Sequence, residues 1–182
     1  PIAIFAESWG IPFLSLLQDI SRQQATEQVM WVWIAMAVAS PIAGWWSNYW
    51  QLRKAPILIL LSIGLIASSI LVCCPPTTPW MVSCLLALLG ISSAAQPITF
   101  GMVNDHNKPS AIGTAVAVNN MALIASAMVL QPLTGVLIDW SQGLHAAPSL
   151  IHYQQAFTCV PICCLATMLI CLFFTQETHC QD

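Results

Sequence analysis

The sequence predicts an all-α, polytopic membrane bundle of six transmembrane helices, built as two inverted three-helix repeats. Three observations carry this expectation. Of 182 residues, 58% are hydrophobic and only 6% charged, against about 25% charged in an average soluble domain. Six apolar runs approach the roughly 20 residues needed to cross a hydrocarbon core about 30 Å thick. A pattern of Pro, Gly and Asn or Asp recurs at the ends of the second and fifth runs. Strands are a poor alternative. The runs far exceed the roughly 9–11 alternating residues of a barrel strand, and they do not alternate. A helix also satisfies its own backbone groups in lipid.

The six helices are expected over 1–18, 26–47, 55–74, 79–103, 110–139 and 153–175. Helix one is apolar from Ile2 to Leu17 and begins at the first residue. It reads as a helix whose start lies upstream. That first residue is Pro, and no cationic stretch with a cleavage site follows it. The chain is therefore either processed or a piece of something longer. The polar segment Gln18 to Gln28, with Asp19, Arg22 and Glu27, leads into helix two. Helix three ends at Pro75-Pro76-Thr77-Thr78-Pro79, which cannot continue a helix. The polar loop Asn104 to Ser110 separates helices four and five, and Asp139 to His152 separates five and six. A polar tail follows helix six.

Six spans put successive loops on alternate sides. The loops after helices two and four carry Arg53, Lys54 and Lys108, and the remaining loops carry only Arg22. The positive-inside rule assigns the first set to the cytoplasm. Both chain ends then lie there too, in an integral protein of the bacterial inner membrane. Trp45, Trp46, Trp50, Trp80 and Trp140 fall at expected helix ends, as interfacial anchors do.

Ser40-Pro41-x-x-Gly44-x-x-x-Asn48 closes helix two, and Gln131-Pro132-x-x-Gly135-x-x-x-Asp139 closes helix five, 91 residues on. The repeat unit is three helices. Three is odd, so the second copy lies upside down. Inverted three-helix repeats characterise secondary transporters, whose sites form between repeats near the midplane.

Polar groups inside lipid need a reason. Glu7 is the sharpest case, since an intramembrane carboxylate faces a cavity or a partner. It lies in Phe5-Ala6-Glu7-Ser8-Trp9-Gly10-Ile11-Pro12, where Gly10 and Pro12 bend the helix. Glu7 and Trp9 are candidates for a solute or proton path, unless the helix is displaced enough to bring Glu7 to an interface. On helix five, Asn120 and Gln131 are 11 residues apart, which returns them to one helical face. Asn119, Asn120 and Gln131 suit helix-to-helix hydrogen bonding and solute contact equally. On helix four, Gln96 beside Pro97 is expected on a cavity face. Helix three, and helix six beyond Gln154 and Gln155 at its start, carry only hydroxyls and thiols as polar groups and are expected as outer, lipid-facing supports.

Other functions find little support. A formal charge of −3 without a basic stripe offers nothing to nucleic acid. The eight cysteines fall mostly in or beside apolar runs, where Cys acts as a small hydrophobe. His106, His145, His152 and His179 fall in loops, at a helix edge or in the tail. No nucleophile and base, and no His and carboxylate metal set, lies inside the membrane. An enzyme, a metal and a cofactor are not expected.

Together these residues resemble the C-terminal half of a major facilitator superfamily transporter over nearly the whole chain. The loop after helix two resembles the family's cytoplasmic gating motif, Gly-x-x-x-Asp-x-x-Gly-x-Arg-Arg/Lys. Gly44, Arg53 and Lys54 match it, while Asn48 stands for Asp and Gln51 for Gly. The resemblance implies a charge latch here, which Asn48 weakens because it cannot form an ion pair. Gly113-Thr-Ala-x-Ala-x-Asn119-Asn120, with Gln131-Pro132-Leu133-x-Gly135-x-x-x-Asp139, looks like the family's eleventh helix. Phe5-Ala-Glu7-x-Trp9-Gly10-x-Pro12-Phe13-Leu14 looks like the seventh in one bacterial subgroup. The resemblance implies alternating access for a small solute, with coupling to a proton or cation left open. It also implies a missing N-terminal half, or a second copy, as partner. A non-transporting remnant or assembly subunit is the competing reading.

Overall fold

Proline positions decide where these helices run straight and where they break. The structure, a computed structural model, describes residues 5–142 and 149–177. The start of the expected helix one, His145, His179 and Cys180 lie outside the described residues. Six helices follow in order. α1 is a π-helical turn, Phe5–Trp9, continued as α-helix over Gly10–Gln18. α2 is Arg22–Tyr49 and α3 is Lys54–Cys73. α4 spans Pro79–His106, α5 is Ile112–Gln142 and α6 spans Leu150–Phe174. Among the described residues there is no strand, and α2 to α6 are long and apolar enough to cross a membrane.

A helical Pro lacks the N–H that would bond the carbonyl four residues back. Three helices yield one residue after that carbonyl. α1 changes from π to α after Trp9, ahead of Pro12. α4 breaks at Ala94, ahead of Pro97. α6 breaks at Thr158, ahead of Pro161. Pro41 and Pro132, by contrast, sit inside unbroken α2 and α5.

α2 begins at Arg22, earlier than the expected residue 26, because Ser21 and Gln24 form a reciprocal capping box. Each satisfies an otherwise orphaned backbone donor of the other.

The core has two parts. One gathers Phe5, Phe13, Leu71, Leu86 and Phe157 from α1, α3, α4 and α6. The rings of Phe5 and Phe13 lie 5.3 and 5.2 Å from that of Phe157, the spacing of favourable aromatic pairs. The other gathers Ala43, Ile57, Leu60, Ala95 and Ile98 from α2, α3 and α4. Helix three was expected as an outer support, and this needs correction. α3 packs along one side against α4 and α6, with Leu60, Gly64, Ala67, Ser68 and Leu71 buried. Its small residues permit this approach, and Ser68 satisfies its hydroxyl on the Leu65 carbonyl of its own helix. Ile59, Ile66 and Ile70 face outward. α6 follows the expectation more closely, exposing Ile162, Ile170, Phe173 and Phe174.

Gly90 marks a close crossing of α2 and α4. A Cβ there would run into the Val32 carbonyl of α2. Gly90→Ala should therefore lower stability by about 1–3 kcal/mol, the usual cost of overpacking. Gly44→Ala is the control, since nothing lies within 4 Å of its Cβ position; it should gain up to about 1 kcal/mol from helix propensity. Melting temperatures of the purified protein compare the two. Equal values would contradict the close α2–α4 crossing.

Candidate functional site

Glu7 and Trp9, in the π turn of α1, meet α5 around Gln131. The Gln131 Nε2 donates to Glu7 Oε2 at 3.0 Å. The Trp9 indole N–H donates to the Gln131 backbone carbonyl at 3.2 Å. The Trp9 ring lies over Gly135, where a Cβ would press on its six-membered edge. Glu7, Trp9, Gln131 and Gly135 thus form one joint. Beside it opens a shallow cleft of about 390 Å³ lined by Ser8, Trp9, Met128, Gln131 and Pro132. Glycine is required at Gly10 as well, because a Cβ would strike the Phe5 carbonyl in the π turn. The residue pattern that bends α1 therefore also aims Glu7 and Trp9 at α5.

The remaining polar candidates fall elsewhere. Asn119 donates to the Thr99 hydroxyl of α4 at 3.5 Å, and Thr99 in turn donates to the Gln96 carbonyl. Gln96 is half-buried beside the α4 break, and Asn120 is exposed. Asn119 and Gln131 are 12 residues apart on α5, or roughly 18 Å along the axis. The helix-five amides therefore serve two separate places, one against α4 and one against α1.

A second constellation lies where the end of α2, the start of α3 and the ends of α4 and α6 meet. The Arg53 Nε pairs with Asp105 Oδ2 at 2.9 Å, the side chains being 12% and 9% exposed. The Arg53 Nη1 donates to Asn48 Oδ1 at 2.7 Å and to the Ser47 hydroxyl at 3.2 Å. Its guanidinium lies over Gly101. Asn48 was expected to weaken a charge latch. The structure supplies the charge from Asp105 instead, and Asn48 remains as a neutral acceptor on the same guanidinium. Gln51, where the motif usually has Gly, adopts a left-handed backbone with φ of 56°, a conformation Gly enters without steric cost.

Two helix ends also exchange opposite charges here. Glu177 Oε1 accepts the backbone N–H groups of Arg53 and Lys54 at 2.6 and 2.8 Å, at the start of α3. Lys54 Nζ donates to the Leu172 and Thr175 carbonyls, both at 2.8 Å, at the end of α6. Each charge sits at the helix terminus whose dipole favours it. Gly44 takes no part, and Asp139 is exposed at the end of α5. The pattern shared by Gly44 and Gly135 therefore serves close packing only in its second copy.

Sequence reasoning missed Asp105, Glu177 and Thr99. Asp105 did carry a signal, since a carboxylate in the last turn of a helix opposes the dipole and calls for a cation. It also lies on the same expected side as Arg53. Thr99 and Glu177 carried none, because their partners are remote in sequence.

Compared with known proteins, residues 2–180 match the family described as the Major Facilitator Superfamily. No curated protein and no solved structure matches the chain.

Proposed function

The chain belongs to the Major Facilitator Superfamily and is a membrane transporter of that family, and from this premise we propose that it forms the C-terminal half of a secondary transporter working by alternating access. The observation that carries the reading is the joint of Glu7, Trp9 and Gln131 beside an open cleft. A costly carboxylate, a fixed indole and an amide converge there between the first helix of one three-helix unit and the second helix of the other. Inverted-repeat transporters build their sites between such units. The Pro pattern supports the repeat: α1 and α4, the first helices of each unit, break ahead of Pro12 and Pro97, while α2 and α5 run through Pro41 and Pro132.

The outward faces of α2 and α5 fit a second six-helix unit, either an N-terminal half or another copy. Val38, Ile42 and Trp45 on α2, and Val118, Met121 and Val136 on α5, are exposed apolar residues. The face gathering Arg53, Lys54 and the ends of α4 and α6 is assigned to the cytoplasm, which puts the end of the chain there. A bacterial inner membrane and coupling to a proton or cation complete the proposal. Asp105 on Arg53 supplies the charge whose absence at Asn48 was one of two arguments for a non-transporting remnant, the other being the missing first half.

The test uses the full-length protein in vesicles under an imposed pH gradient, with solutes found by thermal-stabilisation screening. Trp9→Ala removes the indole donor to the Gln131 carbonyl and one cleft wall. Uptake should fall at least about tenfold at equal protein level in the membrane. Undiminished uptake would exclude the α1–α5 joint from the transport path.

A further inference from the structure

The charge that this half offers inside the membrane is negative. Arg22, Arg53 and Lys54 stand at the ends of α2 and α3, and Lys108 in the loop after α4. Glu7, by contrast, is held at the level of Gln131, 11 residues inside the end of α5, or roughly 16 Å by helical rise. That depth lies within the hydrocarbon region of a bilayer. Among the described residues, no cation lies within ion-pair distance of Glu7, and its Oε1 receives no hydrogen bond. An unneutralised carboxylate at such depth is costly and calls for a partner.

The cleft beside it has the chemistry for an apolar cation. Its volume, about 390 Å³, falls among the roughly 300–1,000 Å³ of small-molecule sites. The Trp9 indole N–H is tied to the Gln131 carbonyl, which fixes the ring, and Trp9 lines the cleft. Indole faces attract organic cations. The Met128 thioether and the Pro132 ring supply soft apolar walls. Gln131 spends its amide N–H on Glu7, and no Arg, Lys or His lines the cleft to receive an anion. We infer that this site takes monovalent organic cations, an ammonium or delocalised onium joined to an apolar body, with Glu7 as counter-charge and Trp9 as the face they rest on. The inference rests on the reading of this joint as the solute site.

Three aryl probes of different charge test it, the two ions being matched in shape. These are tetraphenylphosphonium, tetraphenylborate and neutral triphenylphosphine oxide. Binding to the full-length protein in detergent is measured by equilibrium dialysis, with protein-free micelles subtracted. The phosphonium should bind at least about tenfold more tightly than either other probe. Glu7→Gln should remove that preference without changing affinity for the oxide, and Glu7→Asp, which keeps the charge, should retain it. A melting curve of each variant confirms folding. The inference is overturned by equal binding of borate or oxide, by Glu7→Gln retaining the preference, or by no phosphonium binding. If Trp9→Ala weakens all three probes alike while Glu7→Gln weakens none, the solute site stands and its cation preference falls. If neither substitution alters any probe, both readings fall together.

Discussion

Replacing Asp105 by Ala should destabilise the protein by about 3 kcal/mol, the lower end of the cost of stranding a buried charge. Arg53 is only 12% exposed and would keep its neutral partners Asn48 and Ser47 but lose its only described counter-charge. Arg53→Ala should cost at least as much, because it also releases those acceptors and uncovers Gly101. The double substitution should cost much less than the two singles together, with a coupling energy of roughly 1.5–3 kcal/mol. Arg53→Lys should recover only part. An ammonium is a point charge, whereas the guanidinium reaches Asp105 through Nε and Asn48 through Nη1 at once. Chemical unfolding of all four variants in mixed micelles gives the cycle. Strict additivity would show that the pair contributes no coupling and that the four helix ends are held by other contacts. Because the cluster joins α2, α3 and α4 at one membrane face, the same variants should admit thiol reagents faster to single cysteines placed beside it.

How far the sequence foretold this arrangement depends on how local each cause was. The bend at Gly10 and Pro12 was legible because a missing N–H acts four residues away on the same helix. The α4 break at Ala94 was legible through Pro97 for the same reason. The packed face of α3 was not. Amides and carboxylates mark costly buried groups, and past Lys54 at its start α3 has only hydroxyls and thiols. Its burial comes from smallness instead, with Gly64 pressed against the Ser92 side chain and Ala67 and Ser68 fully covered. In a membrane, small residues report packing as strongly as amides do. The α1–α5 joint was half legible. Glu7, Trp9 and Gln131 each stood out by chemistry, but their meeting depends on the π turn and on a helix more than a hundred residues away. Helical periodicity puts Asn120 and Gln131 in nearly one direction about the α5 axis, where Asn120 is exposed and Gln131 reaches Glu7. It still did not make one site, because periodicity fixes direction around an axis and ignores 16 Å along it, roughly. The latch shows the opposite failure. The motif named the cation, and the carboxylate came from a helix that the motif does not include.

Gln131→Leu should separate structural support from solute handling at that joint. The backbone carbonyl remains, so Trp9 keeps its acceptor. The amide donor to Glu7 is lost. Leaving a hydrogen-bonding group unmatched costs more than removing both partners. The single variant should therefore lose about 1 kcal/mol of stability and, in the full-length protein, at least about tenfold in the kcat/KM of uptake. Glu7→Leu combined with Gln131→Leu should regain the lost stability, because two apolar side chains now meet in lipid. If the pair were only glue between α1 and α5, uptake would return with stability. On the reading proposed here it should not return at all, since the counter-charge for the solute is gone. The two measurements together decide the matter: melting temperature follows the matching of partners, and uptake follows the presence of the carboxylate. Recovery of both in the double variant would assign Glu7 and Gln131 to packing and move the solute path to the Thr99 and Asn119 contact between α4 and α5.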